Sequence, residues 1–343
     1  MTCAVLSSVA VRAAARDCGF TLAGFARGEA LDPAPLRGWL NAGYAADMGF
    51  MSRRIEERLD PRKVLSGAET VVALAIGYRR PTAEQSPVAS YARGRDYHYA
   101  HRDRMKALRK RLLALDPTVQ TYACVDTGVA MEKVWAERAG LGWIGKNGCL
   151  IHPTFGSWLT LSVLLLDREV DRYDEPHPRL CGACERCLDA CPTGAFPAPG
   201  VVDARRCLSY QTIENRGDVP EALRPAFRGR LFGCDVCQDA CPFNAPDVPE
   251  GDARYQPRPL ALMTPREVAA LPSPMLAGLA AGSALARARP DGLRRNALLA
   301  IGASRDRDAR PVVERLTSDA SSVVREAARW ALGRLDSPPR GHE

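Results

Sequence analysis

Eight cysteines in one stretch have the types and spacing to bind iron and move electrons. Cys181, Cys184, Cys187 and Cys191, followed by Pro192, read C-x2-C-x2-C-x3-C-P. In bacterial ferredoxins this run gives three thiolates to one cluster and the fourth to the other. Cys234, Cys237 and Cys241, followed by Pro242, repeat its latter part. The missing first cysteine of this second run is assigned to Cys207, displaced upstream by a 26-residue insertion. The crossing rule then predicts two 4Fe-4S clusters, one on Cys181, Cys184, Cys187 and Cys241, the other on Cys191, Cys207, Cys234 and Cys237. Structural zinc is the competing use of paired C-x2-C units, but zinc sites take well-separated pairs and rarely a trailing C-x3-C-P in both halves. Clusters alone transfer single electrons and do not identify what is reduced.

These ligands need a body to position them, and the chain has one. Its 343 residues are 46% hydrophobic and 25% charged, enough for a sizeable core and, by length, about two domains. Twelve cysteines are too sparse and too clustered for a disulfide scaffold. The four outside the cluster run, Cys3, Cys18, Cys124 and Cys149, read as small buried hydrophobes. A net charge of +7, with only five lysines among 47 basic residues, permits an anionic partner without requiring one. The first twenty residues follow a helical period broken by Arg12, Arg16 and Asp17, unlike a signal peptide, and no twin-arginine signal or long apolar run is present. A cytoplasmic protein with no membrane segment is expected.

The runs Thr70 to Tyr78 and Trp158 to Leu166 read as buried strands, and Met105 to Leu115 and Val129 to Ala139 as helices. An α/β or α+β catalytic domain is therefore expected over residues 1–170. Residues 171–255, rich in cysteine, proline and glycine, form the ferredoxin-like double-cluster module. Residues 256–340 are rich in alanine, leucine and arginine, and Arg294, Ala300 and Gly302 recur 31 residues later as Arg325, Ala331 and Gly333. Stacked HEAT-like helical hairpins would give such a repeat, as would two unrelated alanine-rich helices. A free-standing ferredoxin has no use for the roughly 170 residues ahead of the cysteines, so the clusters should feed a catalytic domain.

Four further segments complete a pattern: GRDYH at 94–98, VDTG at 125–128, ERAGLGWIGKN at 137–147 and DARRCLSYQTIE at 203–214. In this order around the double-cluster run, they resemble the epoxyqueuosine reductase family over essentially the whole chain. The resemblance implies a cobalamin enzyme, related to reductive dehalogenases, that removes the epoxide oxygen of epoxyqueuosine at the wobble position of tRNA anticodons, the last step of queuosine biosynthesis. It implies cob(II)alamin held base-off between the first domain and the cluster module. The D-x-H-x-x-G signature of a histidine ligand to cobalt is missing, because residues 96–101 end in His101, so no such ligand is expected. Asp126 matches the family's proton donor and a cobalamin contact; from the residues alone, an aspartate at this strand-to-helix junction reads as a helix N-cap. Asp96, Tyr97 and His98 should line the substrate pocket, with His98 able to aid proton transfer. Arg58 matches a cobalamin-contacting arginine. Lys146, Asn147, Gly156 and Ser157 are expected in the corrinoid cavity wall, with Ser209 near both cluster and corrin.

Converting an epoxide to an alkene and water consumes two electrons and two protons, so the site needs an electron relay, an organometallic centre and an acid. The acid is expected to be a carboxyl kept protonated near neutral pH by apolar surroundings or a neighbouring anion. Between Arg287 and Arg340 there are twelve arginines against seven acids. Arg294, Arg295 and Arg325 are therefore predicted to meet tRNA phosphates. A monomer served by an unidentified electron donor is expected. A cobalamin reductase of small molecules and a plain iron–sulfur electron carrier are the alternatives.

Overall fold

The computed structural model describes residues 5–80, 86–245 and 247–337, so Cys3 lies outside the described residues. The strands are β1 (Leu22–Arg27), β2 (Thr70–Gly77), β3 (Thr121–Cys124), the short β4 (Trp143–Ile144) and β5 (Leu150–Ile151), and β6 (Leu159–Leu166). One sheet has the order β1-β2-β6-β3 with every neighbour antiparallel, and β4 and β5 form a separate hairpin. The domain is thus α+β. The two strands read from sequence are the central pair, β2 and β6. Strand β1 carries too little apolar signal to be read in advance, and its Gly24 is fixed by packing: a Cβ there would lie 2.1 Å from the Ala139 carbonyl oxygen.

Both sheet faces are covered, which explains the continuous apolar run of β2. Alternate residues point to opposite sides, so Val72, Leu74 and Ile76 enter one core and Val71, Ala73 and Ala75 the other. The first core is closed by α1 (Ser8–Asp17) and α4 (Tyr97–Leu115), the second by α2 (Ala34–Asn41), α3 (Ile55–Leu59) and α5 (Glu132–Arg138). Helix α4 starts eight residues earlier than its apolar periodicity shows, because Asp96 caps it by accepting the His98 N–H at 2.9 Å.

The cysteine segment contributes α6 (Arg186–Asp189), α7 (Leu208–Ile213) and α8 (Val236–Asp239). Short α9 (Pro259–Leu262), α10 (Pro265–Ala270) and α11 (Ser273–Ala280) lead to α12 (Arg289–Ser304), α13 (Arg310–Leu316) and α14 (Ser322–Asp336). The insertion between Cys207 and Cys234 has a structural purpose. Its Leu208, Phe227, Leu231 and Phe232 share one core with Leu276, Leu293, Leu298 and Val324 of the helical array. The 31-residue repeat corresponds to α12 and α14, which pack together. Gly302 permits their close approach, since a Cβ there would come within 2.8 Å of Ala331 Cα, whereas Gly333 faces open space.

This packing takes Arg295 out of the expected tRNA surface. Arg295 is 2% exposed and donates to the carbonyls of Asn215, Gly217 and Gln211 at 2.6–2.8 Å. Arg294 is paired with Asp319 at 2.7 Å with both side chains largely covered. Arg325 donates to the Asp319 and Ala320 carbonyls at 2.7 and 2.8 Å. Arg295 braces the helical array from inside, while Arg294 and Arg325 are half-buried at its edge, which a one-dimensional charge count cannot distinguish from a surface patch. Among the described residues no helix is long and apolar enough to cross a membrane.

Candidate active site

The loop between β3 and α5 presents Asp126. Helix α5 begins at Glu132 with Met131 as its N-cap, so Asp126 is not a helix cap. It lies in the left-handed region at φ +48, a conformation that costs a non-glycine residue about 1–2 kcal/mol and that collects at functional sites. Its side chain keeps 60% of its surface exposed, with Oδ2 3.4 Å from His98 Nε2. The Tyr97 hydroxyl also donates to it.

His98 is oriented from behind by Asp96, whose Oδ1 lies 2.7 Å from His98 Nδ1. That contact places the Nδ1 proton on the Asp96 side and turns Nε2 toward Asp126. His98 Nε2 is buried and makes no hydrogen bond besides this long ion-pair contact. Tyr97 stacks on the imidazole with ring centroids 4.2 Å apart, and Tyr91 meets Tyr97 edge-on. One turn further, His101 points the opposite way, between Ser162 and Thr160 at 2.7 and 2.9 Å. Burial drives it down to about 3, so it is neutral and structural. The three pocket residues named from sequence are therefore brought together with Asp126.

The protonation pattern differs from the expected one. Burial would raise the Asp126 carboxyl, but the hydrogen bonds from His98 and Tyr97 and the charges of His98 and Arg287 outweigh it and hold it below the ordinary value. Burial would lower His98, yet the Asp126 and Asp96 carboxylates win and raise it to about 9. At neutral pH the proton rests on the imidazole between two carboxylates, not on Asp126. The expectation of a carboxyl kept neutral missed a cation that only the fold brings into contact. The carboxyl beside Asp126 that is raised is Glu132, to about 7, by burial first and then by the charge of Asp126.

The cluster cysteines form no disulfides and fall into two neighbourhoods. Mutual repulsion links Cys187 with Cys241, Cys181 and Cys184, and Cys241 with Cys181 and Cys184. It separately links Cys207 with Cys191, Cys234 with Cys207, and Cys237 with Cys234 and Cys207. The two halves repeat each other locally: the Cys191 N–H donates to Leu188 O and the Cys241 N–H to Gln238 O, at 3.2 and 3.0 Å. Among the described residues no group of three or more His, Cys, Asp or Glu side chains could hold a single metal ion. A polynuclear cluster spreads its thiolates around a larger inorganic core, so an all-cysteine donor set grouped four and four fits two clusters. Tyr91 links the second set to the Asp126 pair. Asp235, between Cys234 and Cys237, accepts the Ser90 N–H at 2.6 Å, and the adjoining Tyr91 feels the charges of both Asp126 and Asp235.

Other sequence candidates are placed as follows. The Arg58 guanidinium donates to the carbonyls of Phe50 and Arg53 at 2.9 and 3.1 Å and stands beside Glu132. Lys146 reaches Glu185 at 3.2 Å. Asn147 is buried and bridges the Cys149 N–H and the Cys237 carbonyl. Ser157 is buried between Gln238 and Asn244. Gly156 allows that contact, since a Cβ there would lie 2.0 Å from Asn244 Oδ1. Asn147, Gly156 and Ser157 thus tie the first domain to the second cysteine run. Ser209 donates to the Cys207 sulfur. Cys124 is buried as expected, but Cys18 and Cys149 are only partly covered, and Cys149 feels cysteines of both sets.

One residue outside the candidates addresses a cysteine ligand directly. Trp143 is fully buried, and its Nε1–H donates to Cys181 Sγ at 3.3 Å, with Phe243 packed edge-on against the indole. A donor to a ligating sulfur favours the more negative, reduced cluster and raises its potential. Trp143→Phe is expected to lower the midpoint potential of the cluster on Cys181 and leave the other unmoved, as read by EPR-monitored redox titration.

Comparison with known proteins gives a consistent picture. Residues 58–127 match the family described as Epoxyqueuosine reductase QueG, DUF1730; residues 180–244 match the 4Fe-4S double cluster binding domain, and residues 280–340 match HEAT repeats. The chain is 43% identical to an epoxyqueuosine reductase of Gloeobacter violaceus, over 86% of this chain and 96% of that protein. It is similar to the epoxyqueuosine reductase structure from Streptococcus thermophilus at 30% identity and a TM-score of 0.88, covering 97% and 91% of the two chains. It is also similar to an epoxyqueuosine reductase crystallised with a tRNA-Tyr epoxyqueuosine-modified stem loop, at 29% identity and a TM-score of 0.87, covering 95% and 89%.

Proposed function

The chain belongs to the epoxyqueuosine reductase family, and from that premise we propose how its cleft reduces epoxyqueuosine in tRNA to queuosine. The observation that carries the reading is the Asp126–His98 ion pair, exposed at Asp126 and linked through Tyr91 to the Cys191, Cys207, Cys234 and Cys237 set. Loss of the epoxide oxygen as water takes two electrons and two protons. The clusters would supply electrons one at a time. Cobalamin would supply the low-potential cobalt centre of the reduction.

The protein's own part is proton delivery. Asp126 is the group at the cleft face, and His98 behind it carries the proton at neutral pH. His98, whose positive charge Asp96 stabilises, passes its proton to the Asp126 carboxylate, which relays it to the oxygen leaving the substrate. Tyr97 holds the Asp126 carboxylate in line. The buried Nε2 of His98, engaged only by Asp126, and the open Asp126 carboxylate fit a cofactor and substrate between them and the second cysteine run. Arg58, beside the Asp126 loop, and Lys146, beside Glu185, are the cations placed to meet the corrin's polar side chains.

Substrate docking belongs to a different arginine group from the one predicted. Arg216, Arg287 and Arg289 are exposed and close enough to repel one another. Arg287 is paired with Glu214 at 2.8 Å, and its charge reaches Asp126. A basic rim at the mouth can hold anticodon-loop phosphates while the modified base enters the cleft. Reversing charge at Arg216 and Arg289 is expected to weaken binding of an epoxyqueuosine-modified stem loop about tenfold and to flatten its salt dependence by roughly one to two ions. Unchanged binding in a salt titration moves the RNA surface elsewhere. The activity itself is tested by supplying anaerobically reconstituted protein with cobalamin, a reductant and epoxyqueuosine-bearing tRNA, and looking for queuosine by nucleoside mass spectrometry.

A further inference from the structure

The left-handed residue at the cleft is tied to the scaffold at one point. Glu132 Oε1 accepts the Asp126 N–H at 2.7 Å. Glu132 is the first residue of α5, and Trp135 and Ala136 of that helix are buried in the second core. The Asp126 side chain reaches His98 and Tyr97 of α4, but the loop's other backbone contacts are internal to its own stem. The Ala130 N–H reaches Cys124 Sγ at 3.4 Å, and Gly128 packs so closely on the same sulfur that a Cβ would lie 1.8 Å from it. Those contacts shape the loop's return, but they do not fix the peptide that aims Asp126.

We propose that Glu132 is the positioning residue for Asp126, its carboxylate gripping the Asp126 N–H so that the loop holds the aspartate against His98 and Tyr97. The role rests on the proposed proton delivery by Asp126 and goes beyond it by naming what keeps that group in reach. A carboxylate is the stronger acceptor for an amide N–H, and the N-terminus of α5 favours negative charge there. The charged groups facing Glu132 are Asp126 from the loop and Arg58 from α3; Asp126 opposes its ionisation and Arg58 favours it. The grip therefore tightens as Glu132 ionises around pH 7 and slackens below it.

Hydrogen–deuterium exchange of the 125–131 segment reads the grip without turnover. Glu132→Ala is expected to speed exchange there about tenfold or more and to lower kcat roughly 10- to 100-fold, the cost of a loosely placed group. KM for tRNA and iron content should stay unchanged. Glu132→Asp, one methylene too short, should loosen the segment likewise and decides the matter if the alanine variant folds poorly. Glu132→Gln keeps an acceptor oxygen, so it should restore protection and most of kcat while removing the change in exchange near pH 7. Wild-type protection and kcat in both Glu132→Ala and Glu132→Asp would overturn the proposal. So would a glutamine variant as loose and slow as the alanine one, which would assign Glu132 an electrostatic role instead. If the wild-type protein itself forms no queuosine, the functional reading fails, while the exchange comparison still decides the grip.

Discussion

Asp126→Asn is expected to keep both clusters and its tRNA affinity yet lower turnover by about 10²- to 10⁴-fold, the usual contribution of a positioned proton donor. Asparagine preserves the size of the side chain and can face His98, but it cannot carry a proton from the imidazole to substrate. Single-turnover formation of queuosine measures the loss, and iron content and stem-loop binding serve as controls. Normal turnover would remove Asp126 from the mechanism. The pH profile supplies a second signature. His98 is raised to about 9 and must be protonated to pass a proton to Asp126. Turnover should therefore hold through neutral pH and fall as pH rises through about 9. His98→Gln should lower the plateau and abolish that alkaline limb, since glutamine does not titrate.

Cys241→Ala is expected to destroy the same cluster as Cys181→Ala, although the two cysteines are 60 residues apart in sequence. Each should cost about half of the bound iron and one of two reduced-cluster signals, and the double variant should cost no more than either alone. Cys191→Ala should remove the other signal, with Cys207, Cys234 and Cys237. The prediction separates the crossed arrangement from a sequential one, in which Cys191 would share a cluster with Cys181. Iron analysis with low-temperature EPR of the reduced protein is the measurement, and parallel loss in the Cys181 and Cys191 variants would overturn it. Loss of the second set should also stop turnover, because electrons then have no short path to the site.

The local sequence determined what is dictated by spacing and by burial on both sides. The cysteine runs are legible by spacing, and the short helices α6 and α8 carry the third cysteine of the first run, Cys187, and the middle one of the second, Cys237. The central strands β2 and β6 are legible because two faces of apolar packing leave a continuous apolar run. Asp126, His98, Tyr97 and Asp96 were legible as a group through their motifs, but not their charge states. Those depend on a loop from the end of β3 meeting the first turn of α4, nearly thirty residues away in sequence. Tertiary structure alone decided that the Asp126 carboxyl is held low and His98 high, because a pKa responds to the charge a few ångströms off whatever its place in the chain. It alone decided that Arg295 is a buried brace and that Arg216, Arg287 and Arg289 are exposed, because composition counts charges while folding sorts them into core and surface. Glu132 carried no signal beyond an acid in a helix's first turn; its hold on Asp126 exists only once the loop has closed back onto α5.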